Sequence, residues 1–345
     1  MLFNKYFEKW LYSKDGYYSN YKDIGKSGDF FTAVSTSSFF GGSIAKRLLC
    51  VIEDGLLPSN TTVIEIGAHH GYLISDIIQF VYTLKPELLD SLNFAIIEKF
   101  EHLRKAQKEY LYQSFGDSVN VKHYSCVDEL RLDTAFIVAN EIFDAFPCDL
   151  VYTNDKNKLQ IANIENHKIE FIDCKDEKIN KLCHTYKITK GEISLGFKQF
   201  AHNLEKNINK FEFIIFDYGE KYPRNDFSLR VYEKHNVYPF FDKLISLDKL
   251  FGKTDITYDV NFSHLIDSFE ENNILHVKYD TQLKVLVDFG IIELLEILHK
   301  KVKEDIYLRE VNKVKTLLNP DGMGDRFKAV IFRKNINMER VCKSS

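Results

Sequence analysis

Long apolar runs are missing from this sequence. None reaches the ~18 residues that a membrane-spanning helix needs, so no membrane span is predicted. The first residues lack a secretory pattern, because Asn4, Lys5, Glu8 and Lys9 interrupt any apolar core, and the Arg-rich, acid-poor look of a transit peptide is also absent. C-x-x-C does not occur. The cysteines (Cys50, Cys126, Cys148, Cys174, Cys183 and Cys342) stand singly, which points to free thiols in a reducing cytosol and a cytoplasmic location. A basic excess is missing too. The net charge is −4, against the basic face of a general nucleic-acid binder. The spacing G-x-G-x-x-G is absent, which disfavours a nicotinamide oxidoreductase. His69 and His70 are adjacent, a poor geometry for chelating one ion, and no metal site is expected. The low counts of Pro (6) and Gly (16), beside many Lys, Asn, Ile and Phe, read as compositional bias of the source rather than as function.

What is present is a large core. The chain has 345 residues, 45% of them hydrophobic, enough for one large domain or two closely joined ones. Its organising stretch is Val63-Ile64-Glu65-Ile66-Gly67-Ala68-His69-His70-Gly71-Tyr72-Leu73. The first four residues read as a buried strand, 67–71 as a tight turn and 73–81 as a helix, the opening unit of a doubly wound α/β domain. Ligands in such folds bind outside the carboxyl ends of the strands, beside helix N-termini. An acid before the turn, Glu65, suits a cationic ligand better than a phosphate, and the sulfonium and amino group of S-adenosylmethionine fit that description. A second acid, Glu98, ends the next strand, where a carboxylate can accept both ribose hydroxyls. On the motif alone, a generic strand-turn-helix with two incidental acids fits equally well.

The remaining pattern is that of an α/β chain with insertions. Residues 2–11 predict an amphipathic packing helix, 17–32 a loop and 35–57 a helix. Strands are expected at 93–98, 119–121, 134–139 and 212–219, with helices at 101–113 and 193–208. Short alternating segments at 150–152, 159–164 and 169–172 read as β-hairpins. Residues 225–262 read as irregular, with Arg230, His235, Asp255 and Asp259 as polar anchors. Helices at 264–272 and 291–318 precede an edge strand at 327–332.

Taken together the motifs resemble the MidA-like class I S-adenosylmethionine-dependent methyltransferases, over nearly the whole chain. Gly28-Asp29-Phe30-Phe31-Thr32, followed by Phe40-Gly41, is similar to the family's G-D-F-x-T-x-P-E-I-S…F-G. Glu65 to Gly71 resemble E-L-G-P-G-R-G, and Asn140-Glu141-Ile142-Phe143-Asp144-Ala145-Phe146-Pro147 resemble N-E-x-x-D-A-L-P. Asp217-Tyr218-Gly219 match D-Y-G. Leu229-Arg230-Val231-Tyr232 with His235 is similar to L-R-x-Y…H, 255–262 to D-L-T-A-H-V-D-F, and Met323 to Lys328 to M-G-E-R-F-K. Four positions depart from the pattern. His69 replaces the central glycine of the cofactor turn, Val34 and Ser35 replace Pro and Glu, and Asn261 replaces Asp. These departures bear on cofactor affinity, not on the fold.

The resemblance implies a Rossmann-like class I methyltransferase fold: a mostly parallel seven-stranded sheet, an inserted β-hairpin and helical cap, and an N-terminal helical arm. Residues 1–60 would form the arm and a cofactor lid loop. Residues 61–335 would form the methyltransferase domain, with the cap at about 147–210 and 225–318. S-adenosylmethionine would be held by Asp29 and Thr32 in the lid, Gly67 and Gly71 in the turn, Glu65 at the cationic end, Glu98 at the ribose, and Asn140. The family's mitochondrial member is an arginine methyltransferase needed for respiratory complex I assembly, so the implied acceptor is arginine on a protein substrate such as a complex I subunit. Glu141 would then orient the acceptor nitrogen, with Asp144 or Asp217 as the second carboxylate. A helix starting after residue 139 would put Glu141 and Asp144 on one face. The alternative for the same residues is a helix cap made by Asn140 and Glu141, with Asp144 solvating its first turn. Arg230 and His235 either contact the protein substrate or tie the cap to the core. No nucleic acid and no metal is implied, and a homodimer is left open. The competing function is an assembly factor that keeps the fold but is catalytically weak or inactive.

Overall fold

A computed structural model describes residues 1–20, 32–233 and 236–336. Asp29 and the loop around it, and His235, lie outside the described residues. The chain divides into two compact units, one of residues 31–140, 202–217 and 273–345, the other of residues 1–30, 141–201 and 218–272.

The first unit is built on a sheet of strands in the order Leu275–Thr281, Phe327–Lys334, Ile208–Glu220, Leu132–Asn140, Thr62–Ile66, Asn93–Ile97 and Val121–Tyr124. The Thr62 strand pairs parallel with the Asn93 and Leu132 strands. The Asn93–Val121 and Leu132–Ile208 pairs are parallel as well. Leu275–Thr281 and Phe327–Lys334 pair antiparallel. These seven strands are the mostly parallel sheet that the motifs imply, and the two-residue strand Val260–Asn261 adds an eighth by pairing with Gly219 and Glu220. The strand order reverses at the Thr62 strand, and a crevice for ligands opens at the carboxyl ends beside such a reversal. Central strands covered on both faces need continuous apolar runs, and Ala135 to Ala139 and Phe213 to Phe216 are each 0% exposed.

Helices Phe39–Glu53 and Tyr72–Leu84 cross at glycines. A Cβ on Gly41 would lie 2.6 Å from the Asp76 Cβ, and one on Gly42 would lie 2.6 Å from the Phe80 ring. Behind them Glu212, 0% exposed, accepts from Arg47 Nε (2.7 Å) and Nη2 (2.8 Å) and from Arg333 Nε (2.8 Å).

Three expectations change in this unit. The helix expected at 35–57 is two, Ala33–Thr36 and Phe39–Glu53, because Ser37 is extended between them. Thr32 and Ser35 form a capping box on the first: Ser35 N donates to Thr32 Oγ1 (3.2 Å) and Thr32 N to Ser35 Oγ (3.0 Å). The helix expected at 291–318 is also two, Ile291–His299 and Glu304–Leu318. The last strand is interior, since Leu275–Thr281 covers its outer side. That covering strand, LHVKYDT, is only partly buried along most of its length, so it carries no alternation for the sequence to display.

The second unit holds two small antiparallel sheets. One has the order Lys168–Asp173, Leu159–Glu165, Asp149–Thr153 and Lys190–Ile193, which contains the expected hairpins. Asn166 and His167, at φ 47° and 60°, form a two-residue turn with both centres left-handed, the type that suits strand twist. The other sheet, Asn236–Pro239, Arg230–Glu233 and Asp255–Thr257, occupies part of the stretch read as irregular. Helix Phe3–Tyr12 is the expected amphipathic packing helix. Phe3, Phe7, Trp10 and Leu11 are fully buried among Leu150, Val231 and Ile256, and Trp10 Nε1 donates to Thr254 O (2.7 Å).

Candidate active site

In the first unit the turn after the Thr62 strand is left-handed three times, at Gly67 (φ 73°), His69 (φ 50°) and Gly71 (φ 79°). This explains why glycines suit these positions. His69 adopts a backbone that costs a side-chain-bearing residue roughly 1–2 kcal/mol. Burial first, then His70 and His102, push its imidazole well below the usual range, so it is neutral.

Gly71 precedes helix Tyr72–Leu84 and has no side chain to cap it, and Glu65 supplies the cap from the strand. Its Oε2 accepts from Ile74 N at 2.9 Å, in the helix's first turn. Glu65 is 4% exposed, and no cation pairs with it among the described residues. Burial pushes its carboxyl up to about 8, and Asp76 and Glu98 add to the rise.

Glu98 follows the Asn93 strand directly and is 6% exposed. Burial raises it, while bonds from Phe100 N (3.1 Å), His69 N and Gln107, and the charge of Arg104, pull it back. Gln107, 0% exposed, donates from Nε2 to His69 O (2.8 Å) and closes the turn from below, while its Oε1 meets no donor among the described residues. Asn140 ends its strand one residue past Ala139, which pairs with Ile66. Glu65, Gly67, Gly71 and Glu98 thus converge at adjacent strand ends. Two buried carboxylates, neither with a salt-bridge partner among the described residues, beside a glycine turn fit a ligand that brings positive charge and hydroxyls.

In the second unit no α-helix follows the Leu132 strand. Glu141 is left-handed (φ 54°), and Phe143–Ala145 is a single 3₁₀ turn. The helical face expected to align Glu141 with Asp144 is therefore not formed, and Asp144 does not solvate a helix terminus. It is 3% exposed and takes a short bond from the Tyr218 hydroxyl, which is also paired with Thr257 Oγ1. The Arg230 guanidinium lies over the Tyr218 ring at 4.8 Å and meets Asp259 at 2.6 Å. Burial pushes the Asp144 carboxyl up to about 6, against the pull of Tyr218 and Arg230.

Gly219 is needed at its position, because a Cβ there would lie 2.2 Å from Val260 O, across the pairing of Gly219 with Val260. Asn261, where the family has Asp, still caps helix Phe262–Glu270 by accepting from His264 N (3.2 Å). Arg230 thus joins the Asp144 cluster of this unit. Asp217, fully buried one residue before Tyr218, belongs to the first unit. Tyr218, Thr257 and Gln107 were not singled out as site residues. The first two lie inside D-Y-G and D-I-T-Y-D, but nothing in the sequence signals that they meet. Among the described residues no group of three or more His, Cys, Asp or Glu could hold a metal.

The sheet order, the reversal at the Thr62 strand and the acid-glycine turn define a class I methyltransferase architecture. A family model described as "Putative S-adenosyl-L-methionine-dependent methyltransferase" matches residues 44–279, and the chain belongs to that family. Its cofactor is S-adenosylmethionine. The chain is 21% identical over 347 residues to the mitochondrial protein arginine methyltransferase NDUFAF7 of Danio rerio, covering 90% of this chain and 78% of that one. It is 24% identical over 357 residues to the NDUFAF7 of Xenopus laevis, covering 91% and 76%. Among solved structures, one from Burkholderia thailandensis, bound to S-adenosyl-homocysteine, superposes with a TM-score of 0.82 at 23% identity, over 98% of this chain and 88% of that one. No helix among the described residues is long and apolar enough to cross a membrane.

Proposed function

We propose that the protein transfers a methyl group from S-adenosylmethionine to an arginine side chain of a protein substrate, with a respiratory complex I subunit as the substrate class. The relatives' names support the arginine acceptor. The observation that carries the reading is Glu141. A non-glycine residue held left-handed directly after a central strand marks stored strain, and such strain collects at functional sites.

The cofactor supplies an electrophilic methyl on sulfur. The chain's work is alignment and charge. A free guanidinium is always protonated. Glu141 holds it, draws the positive charge onto the nitrogens it contacts so that the nitrogen facing the methyl is the more nucleophilic, and accepts the proton that this nitrogen sheds as the methyl leaves sulfur. Asp144 acts as a positioning residue: its bond to Tyr218 anchors the 143–145 turn, and so the direction in which Glu141 leaves the strand. Asp217 is the alternative second carboxylate. Asp29, outside the described residues, and Thr32 are further candidate cofactor residues. The free cysteines among the described residues support a reducing compartment such as the cytoplasm. Imaging of the tagged full chain would separate the cytoplasm from the mitochondrial location in the relatives' names.

The test is incubation of the wild type and Glu141→Gln with labelled S-adenosylmethionine and purified complex I subunits, read by mass spectrometry. Methylarginine is expected with the wild type and not with the variant, while both bind cofactor in calorimetry. Cofactor binding with no methylated arginine would sink the reading. The second reading, an assembly factor with little or no turnover, is favoured by His69 in the cofactor turn. It predicts that outcome, or no cofactor heat at any practical concentration.

A further inference from the structure

A pocket in the second unit has no part in the reading above. It encloses about 390 Å³, and Glu192, Glu220, Arg224, Ser228, Asp259 and Asn261 are among the residues that line it. One side is firmly built. Glu192 accepts from Ser228 N (2.9 Å), Leu229 N (3.0 Å) and Ser228 Oγ (3.0 Å), and Ser228 Oγ accepts from Asp259 N (2.8 Å). Arg230 Nη2 donates to Asp259 Oδ1 at 2.6 Å.

The opposite side is looser. Arg224 bridges two carboxylates, with Nη2 3.2 Å from Glu220 Oε1 and Nη1 3.3 Å from Asp259 Oδ2. Charge-assisted pairs usually close to about 2.7–2.9 Å, and Arg230 comes closer still to the same aspartate. The Arg224 side chain is 59% exposed, so water competes for both contacts and they stabilise little. Asn261 adds a separate demand. Its Oδ1 caps helix Phe262–Glu270, while its Nδ2 is buried and meets no acceptor among the described residues. A buried donor without a partner costs stability unless a ligand brings an oxygen. A surface ion network that ties down the 221–226 loop accounts for Arg224 but not for that amide. Carboxylates for a guanidinium and a donor for a carbonyl are together the needs of an arginine within a peptide.

We propose that the pocket binds a second arginine of the protein substrate, its guanidinium between Glu220 and Asp259 and a peptide carbonyl on Asn261 Nδ2. Arg224 stands in for that arginine until the substrate displaces it. The proposal rests on the reading of a protein substrate. The pocket also adjoins the Asp144 cluster, because Arg230 meets Asp259 and lies over the ring of Tyr218, the partner of Asp144.

The probe is a blocked tripeptide of arginine between two alanines, with the citrulline peptide as its neutral isostere. Ligand-observed NMR titration of the full chain reads affinity without turnover. Arg224→Ala should bind the arginine peptide roughly threefold tighter than the wild type, since the surface contacts no longer have to be broken. Adding Glu220→Gln should weaken that binding roughly tenfold, the size of one charge-assisted hydrogen bond, and the citrulline peptide should be weaker by a similar factor. Both substituted side chains are about half exposed, so the variants should melt with the wild type. In Glu141→Gln the gain on removing Arg224 should persist. A gain that vanishes there would put the arginine on the acceptor carboxylate and overturn the inference, leaving methyl transfer standing. Equal affinity of wild type and Arg224→Ala, equal binding of the two peptides, or no binding to Arg224→Ala would overturn it too. The expected binding pattern without methylarginine in the earlier test would overturn methyl transfer and leave the arginine pocket.

Discussion

Glu65 and Asp144 show how single carboxylates proposed for chemistry also serve structure in this protein. Glu65 replaces the missing N-cap of the helix behind the turn through one oxygen, Oε2. Asp144, placed in the sequence beside Glu141 as a second acceptor carboxylate, is instead satisfied inside the fold by Tyr218. Tyr218→Phe removes the hydroxyl that joins Asp144 and Thr257, and leaves both buried without it. A loss of about 1–3 kcal/mol is expected in urea unfolding, the cost of an orphaned buried polar group. Methyl transfer should slow with cofactor affinity unchanged. An unaltered rate would show that the Asp144 turn does not position Glu141. The acids at 65 and 98 were legible because strand and turn periodicity places them. The partners of Asp144 were not, because 74 and 113 residues separate it from Tyr218 and Thr257, and no local pattern encodes such a meeting.

At the scale of elements, one carboxylate ties a helix to two strands. Glu212 on the Ile208 strand neutralises Arg47 of helix Phe39–Glu53 and Arg333 of the Phe327 strand, with side-chain exposures of 0%, 12% and 4%. Glu212→Gln leaves two guanidiniums sharing one neutral amide in the core. The expected cost is about 3–5 kcal/mol, the usual penalty for breaking one side of a buried ion network. It should appear as a lower urea midpoint with an unchanged slope. A change under about 1 kcal/mol would mean that the arginines find water instead. The strongly periodic helices and the apolar parallel strands were read nearly to their ends. The helix breaks at Ser37 and around 300–303 were missed, because apolar spacing continues across them and only the capping bonds of Thr32 and Ser35 and the extended Lys303 end the helices.

Across the whole molecule burial favours the neutral form of the inward-facing titrating groups. Burial raises Glu65 to about 8, Asp76 and Glu192 to about 7, and Asp144 and Asp149 to about 6. Each raised acid stabilises the fold below its unfolded pKa, and that stability is lost as pH climbs through the folded value. Burial lowers His123 and His264 to about 4, and these contribute stability above their unfolded pKa that is lost as pH falls towards 4. The five raised acids outweigh the two lowered histidines, so the ligand-free protein should lose stability steadily from pH ~5 to pH ~8, and saturating S-adenosylmethionine should flatten the alkaline part of the fall. Urea midpoints from pH 5 to 8, with and without cofactor, measure this. A maximum at pH 8 without ligand would contradict it. The sequence by itself determined the α/β class, the glycine turn and the family. These are written in short-range terms: apolar runs, glycines at left-handed positions, and an acid at a strand's end. Tertiary structure alone settled that Glu65 caps a helix and that Asp144 belongs to a tyrosine rather than to an exposed helix face. Burial and pairing between distant segments set those facts, and one-dimensional spacing does not carry them.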